Sequence, residues 1–137
     1  MKRVVVTGLG LISSIGEDVI KTWSNLVSGK SGIRKINTFD TDDLACKIAG
    51  FISHNQDEEN YIDRLKTLEA REINRNDRFI QYGLIAAKMA VEDSGINELA
   101  NDKKLRIGVT VGSGIGGLET IYNGSITLEN KGPRKIS

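Results

Sequence analysis

Arg3-Val4-Val5-Val6-Thr7-Gly8-Leu9-Gly10 is a β-branched run closed by two glycines near the start of the chain. Its apolar residues follow one another without alternation, which predicts a strand covered on both faces, as in a parallel sheet. A Gly/Ser-containing loop, residues 10–16, comes next. Val19, Ile20, Trp23, Leu26 and Val27 then recur at three- and four-residue spacing, the period of a helix. Glu17 and Asp18 fall in its first turn, where the helix dipole favours anions, and Gly29 is placed to end it. The same order returns near the other end. Residues 105–111 read as a second buried strand running into Gly112-Ser113-Gly114-Ile115-Gly116-Gly117, and a helix is expected over 118–128. Asn130-Lys131-Gly132-Pro133 is a turn signal after it.

Between these ends, residues 77–93 give the strongest helical pattern. Phe79, Ile80, Tyr82, Leu84, Ile85, Met89 and Val91, with three alanines, leave a thin polar stripe through Gln81, Lys88 and Glu92. A helix apolar nearly all round is buried on most sides. Ser94-Gly95 stops it. The signal over 31–60 is weaker: Gly32, Asn37, Asp40, Asp42 and Asp43 read as turns, and 46–52 as a short strand. A modest helix is expected over 58–68. Strands alternating with helical stretches indicate an α/β architecture.

The chain has 137 residues, one domain's worth, with 39% hydrophobic and 27% charged residues. Nineteen Lys+Arg against eighteen Asp+Glu leave a formal charge of +1, so no global field announces nucleic acid or an anionic membrane. One cysteine forbids an internal disulfide and, with one histidine, an ordinary four-ligand zinc site. The apolar run at the start is too short for a signal peptide. No stretch approaches the ~20 apolar residues of a membrane helix. A cytoplasmic protein is expected.

Several residues invite a chemical reading, each beside a plainer one. Gly112, Gly114 and Gly117 match the G-x-G-x-x-G spacing of a dinucleotide fingerprint, since a helix start with free N–H groups binds phosphate. The plainer reading is a tight turn or close backbone packing. Cys46 is the only thiol, but it follows no recognisable elbow and reads better as a small buried or half-buried residue. His54 stands in the polar run Ser53-His54-Asn55-Gln56-Asp57, a solvated loop rather than a general base. Asp40, Asp42 and Asp43 do not have EF-hand spacing and suit a turn. Residues 64–78 hold five basic and three acidic side chains. Of these, Arg64, Lys66, Arg71, Arg75 and Arg78 form either a docking patch for an acidic partner or a solvated face with i,i+4 pairs. The residues alone give no complete catalytic constellation.

Taken in order, Arg3-Val4-Val5-Val6-Thr7-Gly8-Leu9-Gly10, Gly29-Lys30-Ser31-Gly32-Ile33, Phe39-Asp40, Phe79-Ile80-Gln81-Tyr82-Gly83, Asp93-Ser94-Gly95, Gly112-Ser113-Gly114-Ile115-Gly116-Gly117 and Gly132-Pro133-Arg134-Lys135-Ile136-Ser137 carry a family resemblance. The set resembles the N-terminal part of the β-ketoacyl-acyl-carrier-protein synthase II family, condensing enzymes of the thiolase-like superfamily. The resemblance implies a partial thiolase-like α/β fold, with two to three strands and packed helices. It makes residues 1–137 one incomplete N-terminal ketosynthase domain. It implies type II fatty acid synthesis, in which malonyl-carrier protein condenses, with decarboxylation, onto an enzyme-bound acyl group.

In that family a cysteine at the start of a buried helix takes the acyl chain and two histidines assist, all in sequence downstream of what Ser137 matches. Neither Cys46 nor His54 matches a catalytic position, so no catalytic residue, cofactor or metal site is expected here, and the chain alone is expected to be silent. Ile115 matches a position lining the acyl pocket. Arg71 and Arg75 match basic positions that contact the acyl carrier protein, and Asn74 stands where relatives often carry a third base. Under the resemblance the glycine turn is close packing near the pocket. The implied partners are acyl carrier protein, a second copy in a homodimer, and a complementing C-terminal polypeptide, with no nucleic acid and no membrane. The alternatives are a non-catalytic carrier-protein-binding module and a nucleotide-binding α/β domain using Gly112, Gly114 and Gly117.

Overall fold

In the computed structural model, which describes residues 3–53 and 63–136, a local capping signal sets the first helix. Asp18 is the N-cap of α1 (Val19–Val27), one position earlier than the first turn the sequence suggested, and its carboxylate accepts from Lys21 N at 2.7 Å. Gly29, with φ +73°, follows the helix end as expected. The apolar stripe of α1, including Ile20, Trp23 and Val27, faces outward. The buried residue is Thr22, whose Oγ1 lies 3.0 Å from Ser13 Oγ in the 10–16 loop.

Two three-residue strands form the one sheet among the described residues. β1 (Ile33–Lys35) pairs antiparallel with β2 (Ile48–Gly50), with Ile33 opposite Gly50 and Lys35 opposite Ile48. β2 lies within the strand expected over 46–52, shortened at both ends. The helix expected over 58–68 is a 3₁₀ turn, Asp63–Thr67, in its described part. His54 and the start of that expectation lie outside the described residues.

The two buried strands expected over 3–7 and 105–111 are not strands. Neither segment pairs with a strand: Leu105 and Arg106 belong to the turn that ends a short helix, and Val4 and Val109 are 97% and 86% exposed. A parallel strand exists only where neighbours supply its ladder and helices cover both faces. Among the described residues no strand lies beside either run. The apolar content was read correctly; the pairing is a property of partners outside the segment.

The core is built on α3 (Arg78–Ser94), with Asp77 at its N-cap position and Gly95 closing it in the left-handed region at φ +65°. Ile85, 1% exposed, packs with Met89 and Leu68, joined by the partly buried Ile12, Ile52, Tyr82 and Leu84. One element of the expected polar stripe is overturned: Gln81 is buried, because its Nε2 donates to the Ile73 and Asn76 carbonyls. Those carbonyls end α2 (Ala70–Arg75), so Gln81 ties the short helix to the long one.

The N-terminal segment lies directly on α3. A Cβ on Gly10 would collide with the Ala86 carbonyl, and one on Gly8 with the Ala90 carbonyl and Ser94. Leu9 N donates to Asp93 Oδ2 at 2.9 Å. The glycines flanking Leu9 therefore serve close backbone approach to a helix. Beyond α3 come a 3₁₀ turn at Ile96–Glu98, α4 (Asn101–Lys104), α5 (Leu118–Lys131) and a last 3₁₀ turn at Pro133–Lys135. No helix is long and apolar enough to cross a membrane among the described residues.

Candidate functional site

Of the basic residues over 66–78, the structure separates paired from unpaired; the Arg64 side chain lies outside what is described. Lys66 Nζ lies 2.6 Å from Asp63 Oδ1, and Arg78 Nε 3.9 Å from Glu119 Oε2. Arg71 and Arg75 are exposed, four apart on α2, and neither has a carboxylate partner among the described residues. The one acid on α2, Glu72, is turned to other work. Its Oε2 accepts from Glu69 N at 2.8 Å and lies 3.5 Å from Lys88 Nζ on α3. The Glu69 N–H, aided by the Lys88 ammonium, holds its carboxyl below the usual carboxylate value. Two guanidinium groups are thus left exposed without a counter-charge among the described residues, with Asn74 exposed beside them.

The second region is the glycine turn, residues 112–117. Gly116 takes φ +79° and its N–H donates to Ser113 Oγ at 3.1 Å. Gly117 is the N-cap of α5 and leaves no room for a Cβ, because the Asp77 carboxylate occupies that space. Gly112 and Gly114 have open space around them, so close packing applies to Gly117 and not to the whole run. Ile115 stands 77% exposed at the tip of the turn. A hollow of about 190 Å³ lies beside it, lined by Asp77, Arg78, Phe79, Gly116, Gly117 and Leu118 among others.

This geometry disfavours the nucleotide reading. The fingerprint needs a strand before the turn and a free helix N-terminus after it. Residues 107–112 are not a strand, and the start of α5 faces the Asp77 carboxylate where a phosphate would have to sit. Cys46 is exposed beside β2 rather than buried or half-buried as expected, its Sγ donating to the Ile48 carbonyl at 3.3 Å. Asp40 Oδ1 accepts from Asp42 N at 3.0 Å, an Asx turn of the kind the sequence suggested. Among the described residues no group of three or more His, Cys, Asp or Glu side chains converges.

Asp77 and Gln81 were not singled out by sequence reasoning as organisers of these two regions. Asp77 was legible as a helix start, but its bond to Thr120, 43 positions away, leaves no sequence signal.

Comparison with known proteins covers both regions. The family described as "Beta-ketoacyl synthase, N-terminal domain" matches residues 1–137. The 3-oxoacyl-(acyl-carrier-protein) synthase 2 of Vibrio cholerae is 43% identical over 136 residues, 99% of this chain and 31% of that protein. The enzyme of the same description from Staphylococcus aureus is 45% identical over 138 residues, again 99% and 31%. A solved structure, the ishigamide ketosynthase/chain length factor, superposes with a TM-score of 0.67 at 28% identity, covering 96% of this chain and 31% of that one. The chain therefore spans about a third of the length of the curated relatives it matches.

Proposed function

This chain belongs to the β-ketoacyl synthase family, and on that premise we propose that it supplies the N-terminal third of a 3-oxoacyl-acyl-carrier-protein synthase. The reaction is the elongation of an acyl thioester by decarboxylative condensation with malonyl-carrier protein. The observation that carries this reading is identity of 43% and 45% to two such synthases over 99% of the chain. The acylated thiol and the two imidazoles come from sequence outside residues 1–137, since Cys46 and His54 match no catalytic position.

Within that assembly the chain has two tasks. Arg71 and Arg75, unpaired on α2, receive the acidic face of the acyl carrier protein. Charge complementarity of this kind mainly governs encounter and register. Ile115 contributes an apolar wall to the acyl pocket, which the remaining two thirds of the synthase and a second copy in a homodimer close over it.

The test is a condensation assay on this chain alone and together with the cysteine- and histidine-bearing remainder of a synthase. Product is expected only in the combined sample. In that sample Arg71→Glu with Arg75→Glu should raise KM for acyl-carrier protein by about tenfold at low salt, leaving kcat unchanged. No product from the combined sample overturns the proposal, and an unchanged KM overturns the docking assignment.

A further inference from the structure

We propose that Asp77 is a positioning residue for the glycine turn at residues 113–117, and through it for Ile115 and the acyl chain lengths accepted. The inference rests on the acyl-pocket reading of Ile115. Its physical basis is that Asp77 stands in the cap position of one helix and serves another. As N-cap of the 17-residue α3, its carboxylate would ordinarily accept from N–H groups of its own first turn. It makes no such bond. Oδ1 instead accepts from Thr120 Oγ1 in the first turn of α5, and Oδ2 fills the space a Cβ on Gly117 would need.

Gly117, as N-cap of α5, has no side chain with which to cap. Asp77 therefore brings an anion to the positive end of α5 from a distant part of the chain. A second contact runs alongside: Arg78 Nε lies 3.9 Å from Glu119 Oε2. Phe79, the next residue of α3, lies against Gly116. Three successive residues at the start of α3 thus clasp four at the start of α5. Ile115 is two residues from the clasped Gly117 and is itself 77% exposed, so the turn, rather than packing of its own side chain, fixes its place. Releasing Asp77 frees the turn while leaving the body of each helix intact.

The experiment uses the whole condensing enzyme that contains this chain. Asp77→Ala and Thr120→Val delete the clasp, whereas Asp77→Asn and Thr120→Ser retain an acceptor at Oδ1 and a hydroxyl at 120. Deleting a hydrogen bond to a charged group should speed amide exchange over 113–118 by about tenfold or more, with the centre of α3 unchanged. The ratio of kcat/KM for hexanoyl- over tetradecanoyl-carrier protein should shift by about fivefold or more, and kcat for the short chain should stay within about twofold. Thr120→Ser should behave as wild type, and Asp77→Asn, which keeps an acceptor but loses the anion, should fall between Asp77→Ala and wild type. Unchanged exchange in Asp77→Ala overturns the clasp, and a uniform fall for both chain lengths overturns the positioning role. Ile115→Phe separates the two failures: an unaltered length profile in that variant overturns the acyl-pocket reading itself, whatever Asp77→Ala does to exchange.

Discussion

Leu9 N donates to Asp93 Oδ2 at 2.9 Å, joining positions 84 apart and fixing the N-terminal segment onto the end of α3. The pair explains how residues 3–12 keep a defined path although no strand flanks them among the described residues. Glycine on either side of Leu9 lets the backbone approach, and one carboxylate holds it. Asp93→Ala should cost about 1 kcal/mol, the scale of a hydrogen bond to a charged group at an exposed site. Denaturant midpoints measure the loss, and amide exchange at Leu9 should rise with it. A Leu9 amide exchanging at the wild-type rate in Asp93→Ala would contradict the assignment.

Two glycines that look alike in sequence should respond oppositely to alanine. Gly10→Ala places a methyl group against the Ala86 backbone carbonyl, which cannot yield without moving α3, and should destabilise by about 1–3 kcal/mol. Gly83 lies within α3 with open space around it, so Gly83→Ala should stabilise by about 0.5–1 kcal/mol through helix propensity. Thermal melts of the two variants, run side by side, test the contrast.

Gln81 is the polar residue whose loss should matter most to α2. Gln81→Leu keeps the size but leaves the Ile73 and Asn76 carbonyls without their donor, a cost of about 1–3 kcal/mol. Exchange of the α2 amides should rise more than exchange at the centre of α3. Equal effects on both would mean that Gln81 serves the core generally rather than the junction.

Glu72 makes the anchoring of α2 pH-dependent. Its anion accepts from Glu69 N–H and lies beside Lys88 in the folded form, which holds its value below the ordinary carboxylate value. The contribution is full above the ordinary carboxyl range and is lost as pH falls through the depressed value. Protection of the Glu69 amide should decline on acidification, and Glu72→Gln should flatten that dependence. A Glu69 amide with the same pH profile in the variant would refute the mechanism.

The sequence by itself determined the three long helices and the family, but not the short helices α2 and α4. Asp18 and Gly29 around α1, Asp77 and Gly95 around α3, and Gly132 after α5 are local signals, because a helix closes its hydrogen bonds within its own segment. The ordered glycine, Phe-Ile-Gln-Tyr and Asp-Ser-Gly motifs were enough for the ketosynthase resemblance that the match over residues 1–137 bears out. Tertiary structure alone decided the rest. β1 is three residues long and has no identity apart from β2. The apolar runs at 3–7 and 105–111 have strand composition but no ladder, since a strand's hydrogen bonds belong to its neighbour. Whether a charge stands free was equally non-local: among the described residues Arg71 and Arg75 have no carboxylate partner, while Lys88 engages Glu72 and Glu119 faces Arg78. Asp77 could be read as a helix start, yet its bond to Thr120 exists only because folding brings two helix starts to one carboxylate.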